Sequence, residues 1–225
     1  MGTIDADPAG WLTCLLLPIM RYRIARLGVE EAGAYEFYRT RVASGRVFGD
    51  YETRLVDTIV SQMLPVDEVH EIGCGWGQLV YLLAWRGYRA TGFEIDKRRY
   101  LGAEVLHGVL RRLDADRAGL AVIRNEFFPP LDRPNPRRGL ILATNVVTEN
   151  PAFFEDQMLW GLRRYRYAII DIDRFCMLRR ADQYSSFIAR AEEFGLRSQG
   201  LFCDAGSEGH FYLFESGDPD RSTAR

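Results

Sequence analysis

The chain has 225 residues, 47% of them hydrophobic and 27% charged, with a formal net charge of −2. That size suits one domain with a sizeable core, and the composition is that of an ordinary globular protein. The near-neutral charge excludes a global field that draws in nucleic acid, while a local basic patch stays open.

Four cysteines, Cys14, Cys74, Cys176 and Cys203, are scattered without a CxxC pair. The pattern argues against a zinc site and for a reduced compartment. The three histidines, His70, His107 and His210, show no metal-ligand spacing, so no metal is expected.

Residues 1–10 read as disordered, and a helix is predicted over 11–27. It puts Met20, Ile24 and Leu27 on one face and Arg23 and Arg26 on another, and Gly28 stops it. Two roles are open for this helix. It can pack over a ligand cleft or a partner subunit, or it can lie on a membrane surface with its basic flank. The apolar run from Trp11 to Met20 contains Pro18 and is too short to cross a bilayer. Acidic Asp5 and Asp7 precede it and Arg21, Arg23 and Arg26 follow, the reverse of a signal peptide. The protein is therefore expected in the cytoplasm.

A second helix is predicted over 30–42, with Ala34, Tyr35, Phe37 and Tyr38 giving an aromatic-rich surface for core packing or for a lid. Asp50 is the expected N-cap of a third helix running to Leu64, with Tyr51, Leu55, Val56, Ile59 and Met63 inward and Pro65 as its stop.

From there strands and helices alternate. Strands are predicted at 68–72, 89–95, 121–124, 139–144 and 167–172. Helices are predicted at 78–86, 97–113, 151–164 and 182–194, and Asn150 caps the third of these. A proline-rich connection fills 129–136. Segments 196–203 and 210–215 have no helix between them and can pair as a hairpin. The alternation predicts a largely parallel sheet with helices on both faces. The expected organisation is an N-terminal helical extension over 1–50, one domain over 51–216 and a disordered tail over 217–225.

One stretch carries most of the chemistry. Val69-His70-Glu71-Ile72-Gly73-Cys74-Gly75-Trp76-Gly77 leads into a helix, then Ala90-Thr91-Gly92-Phe93-Glu94-Ile95-Asp96 closes a second strand. Glycines permit positive φ and leave no Cβ in the way of a ligand. A helix N-terminus offers N–H groups to a carboxylate or phosphate. A carboxylate at the tip of the next strand can accept from ribose hydroxyls. Together these point to a nucleoside-containing ligand.

A dinucleotide site would show Gly-x-Gly-x-x-Gly. Here the spacing is Glu71-x-Gly73-x-Gly75-x-Gly77, with a spaced second acid at Glu94. The pattern resembles motif I of the class I S-adenosylmethionine (SAM)-dependent methyltransferases. The resemblance spans residues 66–216. It implies a three-layer, Rossmann-like α/β fold with seven strands, of which only the last is antiparallel.

The resemblance also implies the cofactor, SAM, and its residues. Glu71 and the backbone of Gly73, Cys74, Gly75 and Gly77 would hold the methionine part. Glu94 would take the ribose hydroxyls and Ile95 the adenine face. Asn125 or Glu126 would lie near the adenine amino group, and Thr144 with Asn145 below the sulfonium. Glu149, Asp171 and Asp173 are the carboxylates nearest the expected acceptor side, candidates for a base if the acceptor is a hydroxyl. Asp171 and Asp173 alternate along strand five and so share a face. His70 reads as a hydrogen-bonded core residue, and His107 and His210 are poorer candidates still.

The expected activity is methyl transfer to an oxygen or nitrogen of a small-molecule acceptor. The alternatives are a protein or RNA methyltransferase, or a SAM-fold protein without catalysis. No Asn-Pro-Pro-Tyr stretch follows strand four, so amino-methylation of nucleic acid is not indicated. The oligomeric state is open.

Overall fold

The structure is a computed structural model that describes residues 7–26, 35–128, 138–144, 151–172 and 184–217. Seven strands form one sheet: β1 (Glu68–Ile72), β2 (Arg89–Phe93), β3 (Ala121–Arg124), β4 (Gly139–Ala143), β5 (Tyr167–Asp171), β6 (Leu196–Asp204) and β7 (His210–Ser216). Their spatial order is β3-β2-β1-β4-β5-β7-β6. β7 runs antiparallel to both of its neighbours, while β1 to β5 pair in parallel. This is the seven-stranded arrangement that the motif implied.

The helices are α1 (Pro8–Ile24), α2 (Glu36–Ala43), α3 (Asp50–Gln62), α4 (Gln78–Trp85), α5 (Lys97–Leu113), α6 (Ala115–Ala118), α7 (Pro151–Leu162) and α8 (Tyr184–Glu193). Strand alternation sorts the core into two layers. Leu140 and Leu142 of β4 join the cluster under α1 to α6, whereas Ile141 and Ala143 join the cluster under α7 and α8. The right-handed crossover rule for parallel strands accounts for such a split. The chain moves outward from β1 to β3 with its helices on one face, then returns to β4 and builds the opposite face. All five β4 residues are buried, which is why the strand reads as an unbroken apolar run.

The sequence places the elements because their boundaries are local. Asp96 caps α5 by accepting from the N–H groups of Arg98 and Arg99. Chain breaks at Gly87 and Gly195 follow α4 and α8. One cap differs from expectation. Gly49, not Asp50, is the N-cap of α3; Glu52 at the third helical position accepts the Gly49 N–H. Asp50 instead pairs with Arg46 at 2.5 Å.

α1 begins three residues earlier than predicted and ends at Ile24. Its stripe is Leu12, Leu16 and Met20, all fully buried in the core shared with β1 and α4. Trp11 stacks on Trp85 of α4 at 5.8 Å between ring centroids. The apolar face of α1 is thus covered by the protein itself. No helix among the described residues is long and apolar enough to cross a membrane. The predicted helix start at 30–34, the connection at 129–136, the Asn150 cap and residues 218–225 lie outside the described residues.

Candidate functional site

The strand order reverses between β1 and β4, so a crevice opens beyond their carboxyl ends. Glu71 sits near the end of β1 and Thr144 just past β4. Both are buried, and the Thr144 hydroxyl reaches Glu71 Oε1 at 3.4 Å across the crevice. Among the described residues, Glu71 Oε2 has no hydrogen-bond partner. Burial, reinforced by the nearby Glu52 and Glu94 carboxylates, pushes the Glu71 carboxyl up to about 8; the Thr144 hydrogen bond opposes this.

The turn after β1 is held from inside. Cys74 N–H donates to Phe93 O (3.1 Å) and Gly77 N–H to Cys74 O (2.8 Å). Gly75 N–H donates to Glu94 Oε2 (2.9 Å) and Trp76 N–H to the Tyr38 hydroxyl (3.2 Å). Gly75 has φ +58° and Gly77 φ +80°, both in the left-handed region. A Cβ on Gly75 would collide with the Tyr38 hydroxyl, and one on Gly77 would come within 2.9 Å of the Ile123 and Tyr81 side chains. The Cys74 thiol is buried over Gly92, where an added Cβ would sit 2.6 Å from its sulfur. With its N–H, carbonyl and thiol all engaged, Cys74 shapes the turn.

Glu94 follows β2 and is 2% exposed. Its Oε2 accepts from Gly75 and its Oε1 from Asp96 N–H at 2.7 Å. Each carboxylate oxygen keeps a second lone pair for another donor. Ile95, beside it, is 66% exposed.

Asn125, past β3, separates itself from its neighbour. Its Nδ2 donates to the carbonyls of Glu94 (2.7 Å) and Ile95 (3.1 Å), so it clamps the tip of β2 and leaves Oδ1 as an acceptor. Glu126 instead faces Arg124 at 3.8 Å.

The acceptor-side candidates are only partly described. Asp171 ends β5, is 1% exposed, and packs against Gly209, where a Cβ would lie 2.8 Å from its carboxylate. β5 stops at Asp171, one residue short of the predicted 172. Asn145, Glu149 and Asp173 lie outside the described residues. Two of the histidines, His70 and His107, make structural contacts. His70 Nδ1 bonds the Tyr165 hydroxyl at 2.6 Å and its Nε2 lies 2.9 Å from Glu68, and His107 bonds the Ala118 carbonyl at 3.0 Å.

Arg41 and Glu52, next to the site, were not predicted for it, and Tyr38 was expected only within an aromatic surface for packing or a lid. α2 lays Tyr38 over the glycine turn, stacked on Trp76 with 4.8 Å between centroids. Arg41 Nη1 binds both Glu52 oxygens, at 2.7 and 2.8 Å, and both side chains are buried. The aromatic spacing of 35–38 signals a packed surface, but nothing local says that its target is a turn 38 residues further on.

No family model and no curated protein sequence matches the chain. Solved structures do match in fold. One is a TehB-like SAM-dependent methyltransferase from Corynebacterium glutamicum, at 16% identity and TM-score 0.55 over 84% of this chain and 98% of that one. Another is the magnesium protoporphyrin IX methyltransferase of Synechocystis with bound S-adenosylhomocysteine, at 15% identity and TM-score 0.58 over 84% and 97%. A third is a glycopeptide N-methyltransferase, at 12% identity and TM-score 0.53 over 75% and 96%. The chain has the Rossmann-like fold that these methyltransferases share, and their names show that the fold serves different acceptors.

Proposed function

We propose that the chain is a SAM-dependent methyltransferase that moves a methyl group to an oxygen or nitrogen of a small-molecule acceptor. The observation that carries this is Glu71: a buried carboxyl at the point where strand order reverses, with Oε2 unpartnered among the described residues. A buried acid of this kind suits a cationic hydrogen-bond donor, to which it gives up its proton to pair as a carboxylate. The ammonium of a methionine moiety is such a donor, and the adjoining turn is shaped by glycines that a Cβ would spoil.

The remaining residues fit the rest of that cofactor. Glu94 has lone pairs left for two ribose hydroxyls, Ile95 offers an exposed apolar face to adenine, and Asn125 Oδ1 is an acceptor for the adenine amino group. Thr144 orients Glu71. When bound, SAM supplies a methyl group on a positively charged sulfonium. The protein's part is alignment and exclusion of water, because an in-line displacement gains most from positioning. Asn145, Glu149, Asp171 and Asp173 are assigned to the acceptor side, Asp171 as the buried carboxylate at the end of β5. The net charge of −2 and the lack of a basic bias support a small acceptor over RNA. Free Cys14, Cys74 and Cys203 support a cytoplasmic location.

Calorimetric titration tests the cofactor directly: micromolar binding of SAM and none of NAD is expected. No SAM binding by the folded protein would leave a methyltransferase fold without its cofactor.

The raised pKa of Glu71 adds a signed pH dependence. Below about pH 8 the carboxyl must release a proton to face an ammonium. SAM affinity should therefore fall about tenfold for each unit below pH 7. Above pH 8 the ligand's own α-amino group, with an ordinary pKa of about 8, loses its proton and affinity falls again. Glu71→Gln should flatten the acid limb. Wild-type affinity that stays level between pH 6 and 8 would remove Glu71 from the site. Without ligand the same group lowers stability as pH rises from its ordinary 4.5 towards about 8, because only the folded chain holds the proton there.

A further inference from the structure

The turn between β1 and α4 was expected to meet a carboxylate with its own N–H groups. The structure uses four of those groups elsewhere. The N–H groups of Cys74 and Gly77 bond backbone carbonyls, Gly75 bonds Glu94, and Trp76 bonds the Tyr38 hydroxyl. Only the last of these passes its hydrogen-bonding capacity onward. A hydroxyl that accepts an N–H still has a proton to donate, and accepting polarises that proton.

Tyr38 is well placed to use it. The residue is 6% exposed, and its ring is fixed between Trp76 and Tyr35, at 4.8 and 6.1 Å between centroids. Its hydroxyl lies against the Cα of Gly75, in the space that a Cβ would take. Among the described residues no acceptor takes the Tyr38 proton, and one buried this far needs one. Burial raises the Tyr38 pKa well beyond the physiological range, so the hydroxyl stays a donor. The surroundings carry both signs: the Arg99 guanidinium and the Glu94 carboxylate both act on the Tyr38 hydroxyl, and the Arg23 guanidinium stands 6.0 Å from the centre of the Trp76 ring. A buried hydroxyl with a proton to donate suits an anion, while the Glu71 carboxyl, its Oε2 unpartnered among the described residues, suits a cation.

We propose that the Tyr38 hydroxyl is a cofactor-positioning group: it takes the Trp76 N–H and donates to the carboxylate of the amino-acid end of SAM. The assignment rests on the SAM-binding function proposed above. It makes α2 part of the cofactor site, not an appendage to it. Glu71 and Tyr38 then hold the two charges of one zwitterion, and a ligand lacking either charge binds more weakly.

The test compares SAM with decarboxylated SAM, which keeps the adenosine, sulfonium and amine but has no carboxylate. Calorimetric titration of wild-type protein should show SAM binding about tenfold tighter, the effect of one hydrogen bond to a charged group. Tyr38→Phe keeps the ring and its stacking. It should lose about tenfold more affinity for SAM than for decarboxylated SAM, since both ligands meet the same unpartnered Trp76 N–H. Equal losses for both ligands would mean that Tyr38 only supports Trp76, and no loss for either would remove it from the site. If the variant fails to fold, the wild-type preference still decides: equal affinity for the two ligands overturns the proposal. Failure of the wild type to bind either ligand would instead sink the SAM-binding function itself, and this proposal with it.

Discussion

Glu94→Ala is expected to weaken SAM binding by at least about a hundredfold, near the top of what the ribose contacts alone would give. Two hydrogen bonds from ribose to an ionised acceptor contribute about 1.5–3 kcal/mol. The same carboxylate also accepts the N–H groups of Gly75 and Asp96, one in the glycine turn and one at the cap of α5. Removing it leaves two donors unsatisfied, Gly75 N–H buried at a cost of about 1–3 kcal/mol and Asp96 N–H partly buried at less. The turn then loses the tie that aligns it with β2. Glu94→Gln keeps one carbonyl oxygen and should fall between the two. Titration calorimetry reads the affinity, and near-ultraviolet circular dichroism checks the fold. Unchanged affinity in a folded Glu94→Ala protein would end the ribose assignment.

Arg41→Ala should have the largest effect on stability, about 3–5 kcal/mol, by stranding a buried charge. Arg41 and Glu52 are 9% and 3% exposed, and the guanidinium binds both carboxylate oxygens. Glu52 has a second duty, since it caps α3 through the Gly49 N–H and so cannot turn away to solvent. It also lies close enough to Glu71 to raise the latter's pKa. The double variant Arg41→Met, Glu52→Gln removes both charges and keeps the cap, and it should recover more than half of the loss. Urea denaturation measures both. A loss below about 1 kcal/mol in Arg41→Ala would show that the pair is better hydrated than its burial indicates.

Much of the fold was legible because its cues are local. The β1 and β3 boundaries fall where alternation and flanking residues put them, and α5 spans the predicted 97–113. The glycine turn and Glu94 were legible for a different reason. Positive φ at Gly75 and Gly77 demands glycine, and an acid at a strand tip stands out against an apolar strand. The α3 cap was misread because Asp50 and Glu52 both suit a helix start. Only the pull of Arg41 on Glu52 distinguishes them.

Asn125 and Glu126 show the limit of one-dimensional information. Both are polar residues after a strand, and sequence offers no reason to prefer one. The structure separates them by direction: Asn125 reaches across to the carbonyls of Glu94 and Ile95, and Glu126 turns back to Arg124. Likewise α1 read as either a packed or a surface-lying helix, because amphipathicity does not name what covers the apolar face. Trp85 and the α4 core do.

The sequence alone determined the strand and helix order, the glycine turn, and the two acids that flank it. Those features depend on backbone conformation, periodicity and charge within a few residues. Tertiary structure alone decided that Tyr38 reaches the turn from α2, that Arg41 neutralises Glu52, and that Glu71 is buried deeply enough to hold its proton. Each of these depends on groups brought together from distant elements. Desolvation and hydrogen-bond direction are properties of that assembly, not of any residue within it.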